Sequence, residues 1–259
     1  MEIIYLIYSF IVGALVGSFL NVVILRLPED ESVVFPASHC PKCGTDLHWY
    51  ENIPILSYLV LRGKCRTCKV GISLQYPAVE LCMAVLSLAL FRQFGLSFPF
   101  FLYFLFVAAL LAIIFIDIRL QIIPNKISLP GILVGLAGSL FNPLVSWQEA
   151  ALGVLFGGGI LYGVAYGYAL LTKREGMGMG DVKLLAMIGA FLGYRCLLYV
   201  IFFSSLTGSV VGIAAMFYQK KGGQTRIPFG PFLSLAAMSW IFFQDTIFSV
   251  WYWYLSISG

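Results

Sequence analysis

The sequence predicts an all-α polytopic membrane protein of about eight transmembrane helices, with one small polar loop domain on the cytoplasmic side. Its 259 residues are 60% hydrophobic and only 11% charged, and the mean hydropathy is +0.93. A water-soluble chain of this length needs more polar surface to cover its core. Apolar stretches about as long as a bilayer is thick recur along most of the chain, whereas one polar stretch, 26–75, stands apart.

The apolar stretches predict eight helices. They cover residues 3–25, 76–94, 98–118, 127–142, 150–171, 182–194, 196–218 and 228–244. The sixth is short for a full span. We therefore expect either a half-helix that lines a cavity within the protein or a continuation into the seventh segment through Gly193-Tyr194.

The basic residues predict the orientation of the chain in the lipid bilayer. Eight spans place both termini on one side, and if that side is external, 14 of the 16 Lys and Arg residues fall in internal loops. Cytoplasmic loops carry such an excess of positive charge. Because these residues are scattered between apolar segments, we expect no nucleic-acid partner. The tail Trp251-Tyr252-Trp253-Tyr254 is typical of an aromatic belt at the outer interface.

Charge also predicts the domain organisation. Residues 26–75 carry 11 of the 28 charged residues and both histidines. We therefore expect a first transmembrane helix at 1–25, a cytoplasmic domain at 26–75, and a transmembrane bundle at 76–259.

Four cysteines of the polar stretch predict a zinc site. Cys40 and Cys43 form one Cys-x-x-Cys motif, and Cys65 and Cys68 form a second one, with 21 residues between the two motifs. The cytoplasm is reducing, which disfavours structural disulfides, and two such motifs match a tetrahedral four-sulfur zinc site. Four sulfur ligands leave no open position for water, so this zinc is expected to be structural. The alternative is a pair of redox-active dithiols.

Two aspartates at the ends of apolar segments are candidates for catalysis. Asp117 ends the third predicted helix and Asp181 opens the sixth, and the predicted topology places both at the cytoplasmic depth. Ionisable groups in apolar helices are costly and are functional candidates by default. Two carboxylates in a partly dry site share one proton, which is the chemistry of an aspartyl protease. A proton or ion relay in a transporter is the competing interpretation.

Four further residues are candidates for a supporting or substrate-binding role. Glu80 lies about one turn into the second helix, where a structural role and a functional role are equally well supported. Gly178 and Gly180 precede Asp181 in a G-x-G-D sequence, and Lys183 follows it. Glycines there allow a close approach of the backbone, either to the other aspartate or to an extended peptide.

Motifs spread over nearly the whole chain resemble the type IV prepilin peptidase family, whose members are G-x-G-D aspartyl membrane proteases. They are Gly17-Ser-Phe-Leu-Asn21 with Arg26-Leu-Pro28, His39-Cys-Pro-Lys-Cys-Gly44, Glu51-Asn-Ile-Pro-Ile-Leu-Ser-Tyr58, Arg62-Gly-Lys-Cys-Arg-Thr-Cys68, Tyr76-Pro77 with Val79-Glu80, Asp117 with Ile123-Pro124-Asn125, Arg174-Glu-Gly-Met-Gly-Met-Gly-Asp181-Val-Lys183, and Ile227-Pro-Phe-Gly-Pro231.

The resemblance implies a helical membrane bundle related to presenilin-type proteases. It implies an inner-membrane enzyme that cuts the short, positively charged leader of prepilins and pseudopilins after a glycine, with Asp117 and Asp181 matching the family's catalytic aspartates. Many members also methylate the new amino terminus with S-adenosylmethionine, an activity that accompanies the four-cysteine loop. The loop contains no glycine-rich nucleotide-binding motif, so the resemblance names no residue for this methyl donor.

Three alternatives stand beside this prediction. The chain could be a peptidase without the methylation activity, a transporter that moves protons through Asp117 and Asp181, or a membrane-anchored zinc module that only recruits partners.

Overall fold

The structure is a computed structural model that describes residues 2–173, 178–219 and 227–258. Over these residues the chain is helical and contains no β-strand. It forms two compact units, Met1–Ile116 and Asp117–Gly259.

Nine α-helices occur in the described part of the chain. They are α1 (Glu2–Arg26), α2 (Leu56–Val60), α3 (Gln75–Phe94), α4 (Phe98–Leu120), α5 (Asn125–Ser139), α6 (Trp147–Thr172), α7 (Met179–Leu192), α8 (Leu197–Gln219) and α9 (Gly230–Ser258). Short 3₁₀ turns follow α1 and precede both α2 and α8. The helix α2 lies inside the polar loop, and each of the other eight helices corresponds to one of the eight predicted apolar segments.

The all-α polytopic fold is confirmed. Six helices (α1, α3, α4, α6, α8 and α9) are long and apolar enough to cross a membrane. The protein is therefore a multi-pass membrane protein. The other two segments form α5, with 15 residues, and α7, with 14 residues, and both are shorter than the roughly 20 residues that a full span needs.

The sixth predicted segment is a separate short helix and does not continue into the seventh. The helix α7 ends at Leu192, and Gly193 has a φ of 76°. A residue with a positive φ cannot continue a right-handed helix, and glycine adopts it without strain. The backbone therefore turns through Tyr194–Cys196 before α8 begins.

The last helix is longer than the segment 228–244 that the sequence predicts, because the polar pair Gln244-Asp245 does not interrupt it. The residues of the expected aromatic belt, 251–254, lie on α9, but their side chains fall outside the described part. Four basic residues used to predict the orientation also fall outside it, namely Arg174, Lys220, Lys221 and Arg226.

In the first unit α1 packs against α3. The contacts run in opposite directions along the two helices, since Ser9 is bonded to Ser87 (hydroxyl oxygens 2.8 Å apart), and Asn21 donates from Nδ2 to the carbonyl of Tyr76 at 3.1 Å. The pair is therefore an antiparallel hairpin. The polar loop connects its two arms.

In the second unit α7 is the central helix, in contact with α5, α6 and α9. Every residue from Leu184 to Leu192 is buried. A helix that is apolar on all sides is typical of such a position. At the crossing with α6 the backbones of Gly153 and Gly189 touch, so a Cβ on either glycine would overlap the other.

Candidate active site and metal centre

Asp117 lies in the last turn of α4 and is buried, with 4% of its surface exposed. Its Oδ2 accepts a hydrogen bond of 3.0 Å from the main-chain amide of Gly230, the first residue of α9. The helix α4 ends three residues later, where Gln121 has a φ of 56° and donates its amide to the carbonyl of Asp117 at 2.8 Å. The chain therefore reverses around this carboxyl group.

Asp181 lies in the first turn of α7 and is half-buried. Gly178 caps this helix, and its carbonyl accepts the amide of Asp181 at 3.2 Å. Burial, and after it the negative charge of Asp117, raises the pKa of Asp181 to about 7. Ile123 lies close both to Gly180, which precedes Asp181, and to Gly230, whose amide bonds to Asp117. The two predicted aspartates therefore lie in the same region of the second unit.

One glycine of the G-x-G-D sequence, Gly180, makes a close approach within the protein, and its partner is Ile123 rather than the other aspartate. A Cβ on Gly180 would lie 2.9 Å from the Cβ of Ile123. A Cβ on Gly178 would have only ordinary contacts, the nearest at 3.7 Å to Oδ2 of Asp181. Ile123 therefore occupies the space that the missing side chain of Gly180 leaves.

Lys183 is tied to the start of α5. Its Nζ donates to Oδ1 of Asn125 at 2.8 Å. This bond joins the beginning of α5 to the beginning of α7, on which Asp181 lies. Sequence analysis identified Lys183 and the Ile123-Pro124-Asn125 motif separately, and their separation in the sequence gave no sign that they are partners.

The arrangement can activate water. Two carboxyl groups that interact electrostatically and are both withdrawn from bulk water disfavour a second negative charge, so the pair retains one proton. Its ionised member can accept a proton from water, and its protonated member can donate one to a carbonyl oxygen. This chemistry requires both carboxyl groups.

The four cysteines of the polar loop form a cluster in the first unit. The sulfur atoms of Cys40, Cys43, Cys65 and Cys68 all lie within 4.8 Å of one another, with 3.8 Å between those of Cys40 and Cys68. In a tetrahedral site with zinc–sulfur bonds of ~2.3 Å, two sulfurs are about 3.8 Å apart. The four cysteines are therefore close enough to bind a metal ion.

Each Cys-x-x-Cys motif forms the same backbone loop. The amides of Cys40 and Cys65 donate to carbonyls five residues ahead, at 3.0 and 2.8 Å. The turn is completed by a left-handed residue, Gly44 (φ 69°) in the first loop and Lys69 (φ 58°) in the second. Two matching loops thus present their sulfurs to one point.

The surroundings of Cys43 and Cys65 favour the thiolate, which is the form that binds metal. At Cys68, in contrast, a hydrogen bond with the Val70 backbone is outweighed by burial and by the other three cysteines, which together raise its pKa to about 11. Hydrogen bonds with Thr45, first from its side chain and then from its backbone, lower the pKa of Cys43 to about 6. The backbone amides of Cys68 and Thr67 lower the pKa of Cys65. The donor set therefore fits a thiophilic cation such as Zn²⁺.

Sequence analysis missed an ion pair that supports the second cysteine loop. Oε1 of Glu51 lies 3.2 Å from Nε of Arg66, and the Glu51 side chain is almost fully buried. The other oxygen of Glu51 accepts the amide of His48 at 2.9 Å. The Glu51 motif therefore holds the 3₁₀ turn before α2 against the Cys65–Cys68 loop.

Glu80 also has a partner in the polar loop. Its side chain is buried, and Oε2 accepts the main-chain amide of Ile55 at 2.7 Å. Ile55 has a φ of 65°, which is an unfavourable conformation for a β-branched residue. The carboxyl group of Glu80 thus fastens a strained turn of the loop to α3, which supports the structural role.

We expect Glu80→Ala to loosen this turn, because it leaves the buried amide of Ile55 without an acceptor at a cost of roughly 1–3 kcal/mol. Glu80→Gln keeps a side-chain oxygen and serves as the matched variant, with a smaller effect. Limited proteolysis of the loop in detergent measures the difference. Equal cleavage rates for wild type and Glu80→Ala would contradict the proposed fastening.

Two family profiles match the chain. The bacterial peptidase A24 N-terminal domain matches residues 11–94, and the type IV leader peptidase family matches residues 104–213. The first match contains the four cysteines, and the second contains both aspartates. No solved structure matches the chain at a significant level.

Several curated proteins are similar over most of the chain, and each is named prepilin leader peptidase/N-methyltransferase. The relative from Pseudomonas aeruginosa is 37% identical over 266 residues, which cover 94% of this chain and 92% of that protein. The relative from Xanthomonas campestris is 39% identical, covering 89% and 88%. The relative from Myxococcus xanthus is 41% identical, covering 85% of this chain but 65% of that longer protein. The chain therefore belongs to the type IV leader peptidase family.

Proposed function

We propose that this chain removes the leader peptide from type IV prepilins and pseudopilins, with Asp117 and Asp181 as the catalytic residues. The observation that carries the proposal is the pair of carboxyl groups at the end of α4 and the start of α7, of which Asp117 is buried and Asp181 is half-buried, with the pKa of Asp181 raised by burial and by the charge of Asp117. A peptide bond is hydrolysed by such a pair without a covalent intermediate. The named activity of the relatives supports the choice of substrate.

The first step is the attack of water on the scissile carbonyl. The ionised aspartate accepts a proton from the water molecule, whose oxygen forms a bond to the carbonyl carbon. The protonated aspartate donates its proton to the carbonyl oxygen, and a neutral tetrahedral diol results. In the second step the first aspartate returns its proton to the leaving nitrogen, the C–N bond breaks, and one diol hydroxyl returns a proton to the second aspartate.

We propose that the same chain then methylates the exposed amino terminus. S-adenosylmethionine, when bound, supplies the methyl group for this reaction. The support for this second activity is the name of the relatives together with the four-cysteine loop. No residue is assigned to the methyl donor.

We propose that Cys40, Cys43, Cys65 and Cys68 hold a structural zinc ion. Glu51 joins the second of their two loops to the 3₁₀ turn before α2, and Glu80 fastens Ile55 of the polar region to α3, so an ion between the loops stabilises the polar region as a domain at 26–75. That domain separates the first helix, 1–25, from the peptidase bundle at 76–259. The supporting observation is that α1 ends at Arg26 and α3 begins at Gln75.

We also propose an inner-membrane location with both termini outside and with the zinc domain and the aspartates at the cytoplasmic face. The distribution of Lys and Arg along the sequence supports this orientation. The test places a single cysteine at residue 245 and labels it from either side of the membrane of inverted vesicles. Labelling only from the cytoplasmic side would mean that the orientation is the opposite of the one proposed.

One reconstituted reaction tests both activities. Purified protein in nanodiscs is incubated with a synthetic prepilin and labelled S-adenosylmethionine, and the products are analysed by mass spectrometry. We expect loss of the leader followed by a gain of one methyl group on the new amino terminus. Uncut prepilin would refute the peptidase, whereas cut but unmethylated product would leave the peptidase-only alternative.

Replacing one metal ligand is expected to affect the loop more than the bundle. Cys40→Ser or Cys65→Ser should abolish stoichiometric zinc binding and reduce methylation or folded yield more than leader cleavage, because the catalytic aspartates belong to the other unit. Cys82→Ser is the control, since Cys82 lies on α3 outside the cluster. Elemental analysis measures the metal. A normal zinc content in a Cys40→Ser/Cys65→Ser protein would refute the ligand assignment.

A further inference from the structure

The first turn of α9 has one main-chain donor that the helix does not use. The amides of Phe232 and Leu233 donate to the carbonyl of Phe229 at 3.1 and 3.2 Å. Pro231 has no amide hydrogen. The amide of Gly230 is the remaining donor of this turn, and it bonds to Oδ2 of Asp117 at 3.0 Å.

The amide of Gly230 favours the ionised form of Asp117 over the neutral form. A main-chain amide at a helix amino terminus carries part of the positive end of the helix dipole. Its bond to an ionised carboxylate is stronger than its bond to a neutral acid. The start of α9 therefore stabilises negative charge on Asp117, which offsets the cost of burying that charge.

Asp181 has no comparable partner among the residues that the structure describes. Its own amide is used within the turn that Gly178 caps, and no described donor bonds to its side chain. Burial is the main cause that raises the pKa of Asp181, and the negative charge of Asp117 adds to it. A negative charge on Asp117 therefore favours the neutral acid at Asp181.

The contact between α9 and Asp117 leaves no room for a side chain at position 230. A Cβ on Gly230 would lie 2.6 Å from Oδ2 of Asp117 and 3.2 Å from Cδ1 of Ile123. The first distance is too short for a contact between a carbon atom and an oxygen atom that are not bonded to each other. Glycine is thus the residue that allows the amide to reach the carboxylate.

We propose that Gly230 is a positioning residue whose main-chain amide holds Asp117 as the carboxylate, so that Asp117 supplies the base of the pair and Asp181 the acid. This inference rests on the proposed peptidase function and deepens it. In the attack step, Oδ1 of Asp117 accepts the proton of water, and Asp181 donates its proton to the carbonyl oxygen of the substrate. When the C–N bond breaks, Asp117 gives this proton to the leaving nitrogen, and one hydroxyl of the diol gives a proton back to Asp181.

Among the residues of the second unit that the structure describes, few other charged groups lie on the helices that carry the pair or pack beside it. Asp181 and Lys183 come from α7, and the ammonium group of Lys183 bonds to Asn125. Arg119 on α4 and Lys126 on α5 are exposed. The first turn of α9 contains no titratable side chain. The pH dependence of cleavage therefore reports mainly on the two aspartates.

The test compares Ile123→Ala with Ile123→Ala/Gly230→Ala. Gly230→Ala adds a methyl group that would contact Cδ1 of Ile123 in the wild-type protein. Ile123→Ala removes that atom, so the added methyl group overlaps only with Asp117. We expect the second protein to have a kcat at least about tenfold lower than the first, with KM within about twofold. The acid limb of kcat/KM should move to higher pH, because a carboxylate with a weakened donor is protonated more easily.

Gly208→Ala is the matched control. Its methyl group would face the same end of α9 at ordinary distances, 3.5 Å from Phe232 and 3.8 Å from Phe229, so kcat and the acid limb should match wild type. Thermal unfolding in detergent checks that all four proteins are folded.

Two outcomes would overturn the inference, and they differ from failure of the proposed function. The first is an unchanged kcat and acid limb in Ile123→Ala/Gly230→Ala relative to Ile123→Ala. The second is a fall in kcat that Gly208→Ala reproduces, which would show a general effect of packing at α9. If either occurs while Asp117→Asn is inactive, the peptidase assignment stands and only the role of Gly230 fails. If Asp117→Asn still cuts, the peptidase mechanism itself fails.

Discussion

Asp117→Asn and Asp181→Asn are each expected to lower the kcat of leader cleavage by at least about a thousandfold, the largest effect that we predict. Asparagine has nearly the shape of aspartate but neither accepts nor donates the proton that each step requires. Because the two carboxyl groups act as one unit, the double variant should lose little more than the worse single variant. Mass spectrometry of a synthetic prepilin after a timed incubation measures the loss.

The chain offers a control for this experiment. Asp245 is an exposed aspartate on α9, and Asp245→Asn should cut at the wild-type rate. All variants should retain the metal content of wild type, since the four cysteines lie in the other unit. If Asp117→Asn and Asp181→Asn both still cut the prepilin, the aspartyl mechanism is wrong. The interpretation of these carboxyl groups as a proton or ion relay in a transporter would then be favoured.

Gly153→Ala is expected to destabilise the second unit more than any other single methyl group added to α6. A Cβ at this position would overlap the backbone of Gly189 on α7, and backbone atoms cannot move aside as a flexible side chain can. Overpacking of a tight contact costs typically 1–3 kcal/mol, occasionally more. Since α7 carries Asp181, we expect a lower thermal midpoint in detergent and a parallel loss of cleavage.

Gly163→Ala on the same helix is the matched control. No atom lies within 4 Å of the Cβ that it would add, and alanine favours a helix over glycine by up to about 1 kcal/mol. Its thermal midpoint should equal or exceed that of wild type. Equal destabilisation by Gly153→Ala and Gly163→Ala would mean that the contact between α6 and α7 is not the cause.

The helices could be predicted from the sequence because each depends on a local property. Long apolar runs form helices in a bilayer, where every backbone polar group must be satisfied within the segment. The predicted bounds therefore agree with the observed ones to within a few residues for the first seven segments. The prediction failed at the end of α9, because a polar pair does not break a helix as Gly193 does after α7.

The candidate residues could be identified from the sequence, but most of their partners could not. Carboxylates in apolar segments and paired Cys-x-x-Cys motifs stand out by chemistry alone. The bonds from Gly230 to Asp117, from Ile55 to Glu80 and from Lys183 to Asn125 join residues 113, 25 and 58 positions apart. No local pattern specifies which main-chain amide a distant carboxyl group meets.

The sequence by itself determined the membrane character of this protein, its helical segments, the four-cysteine cluster and the two aspartates, since these follow from hydropathy, charge and spacing along the chain. Only the tertiary structure decided what surrounds those groups. It placed Ile123 against Gly180, the start of α9 against Asp117, and the backbones of Gly153 and Gly189 in contact. The physical reason is that burial and hydrogen bonding at a site depend on helices that are distant in the sequence and pack together only in the folded chain.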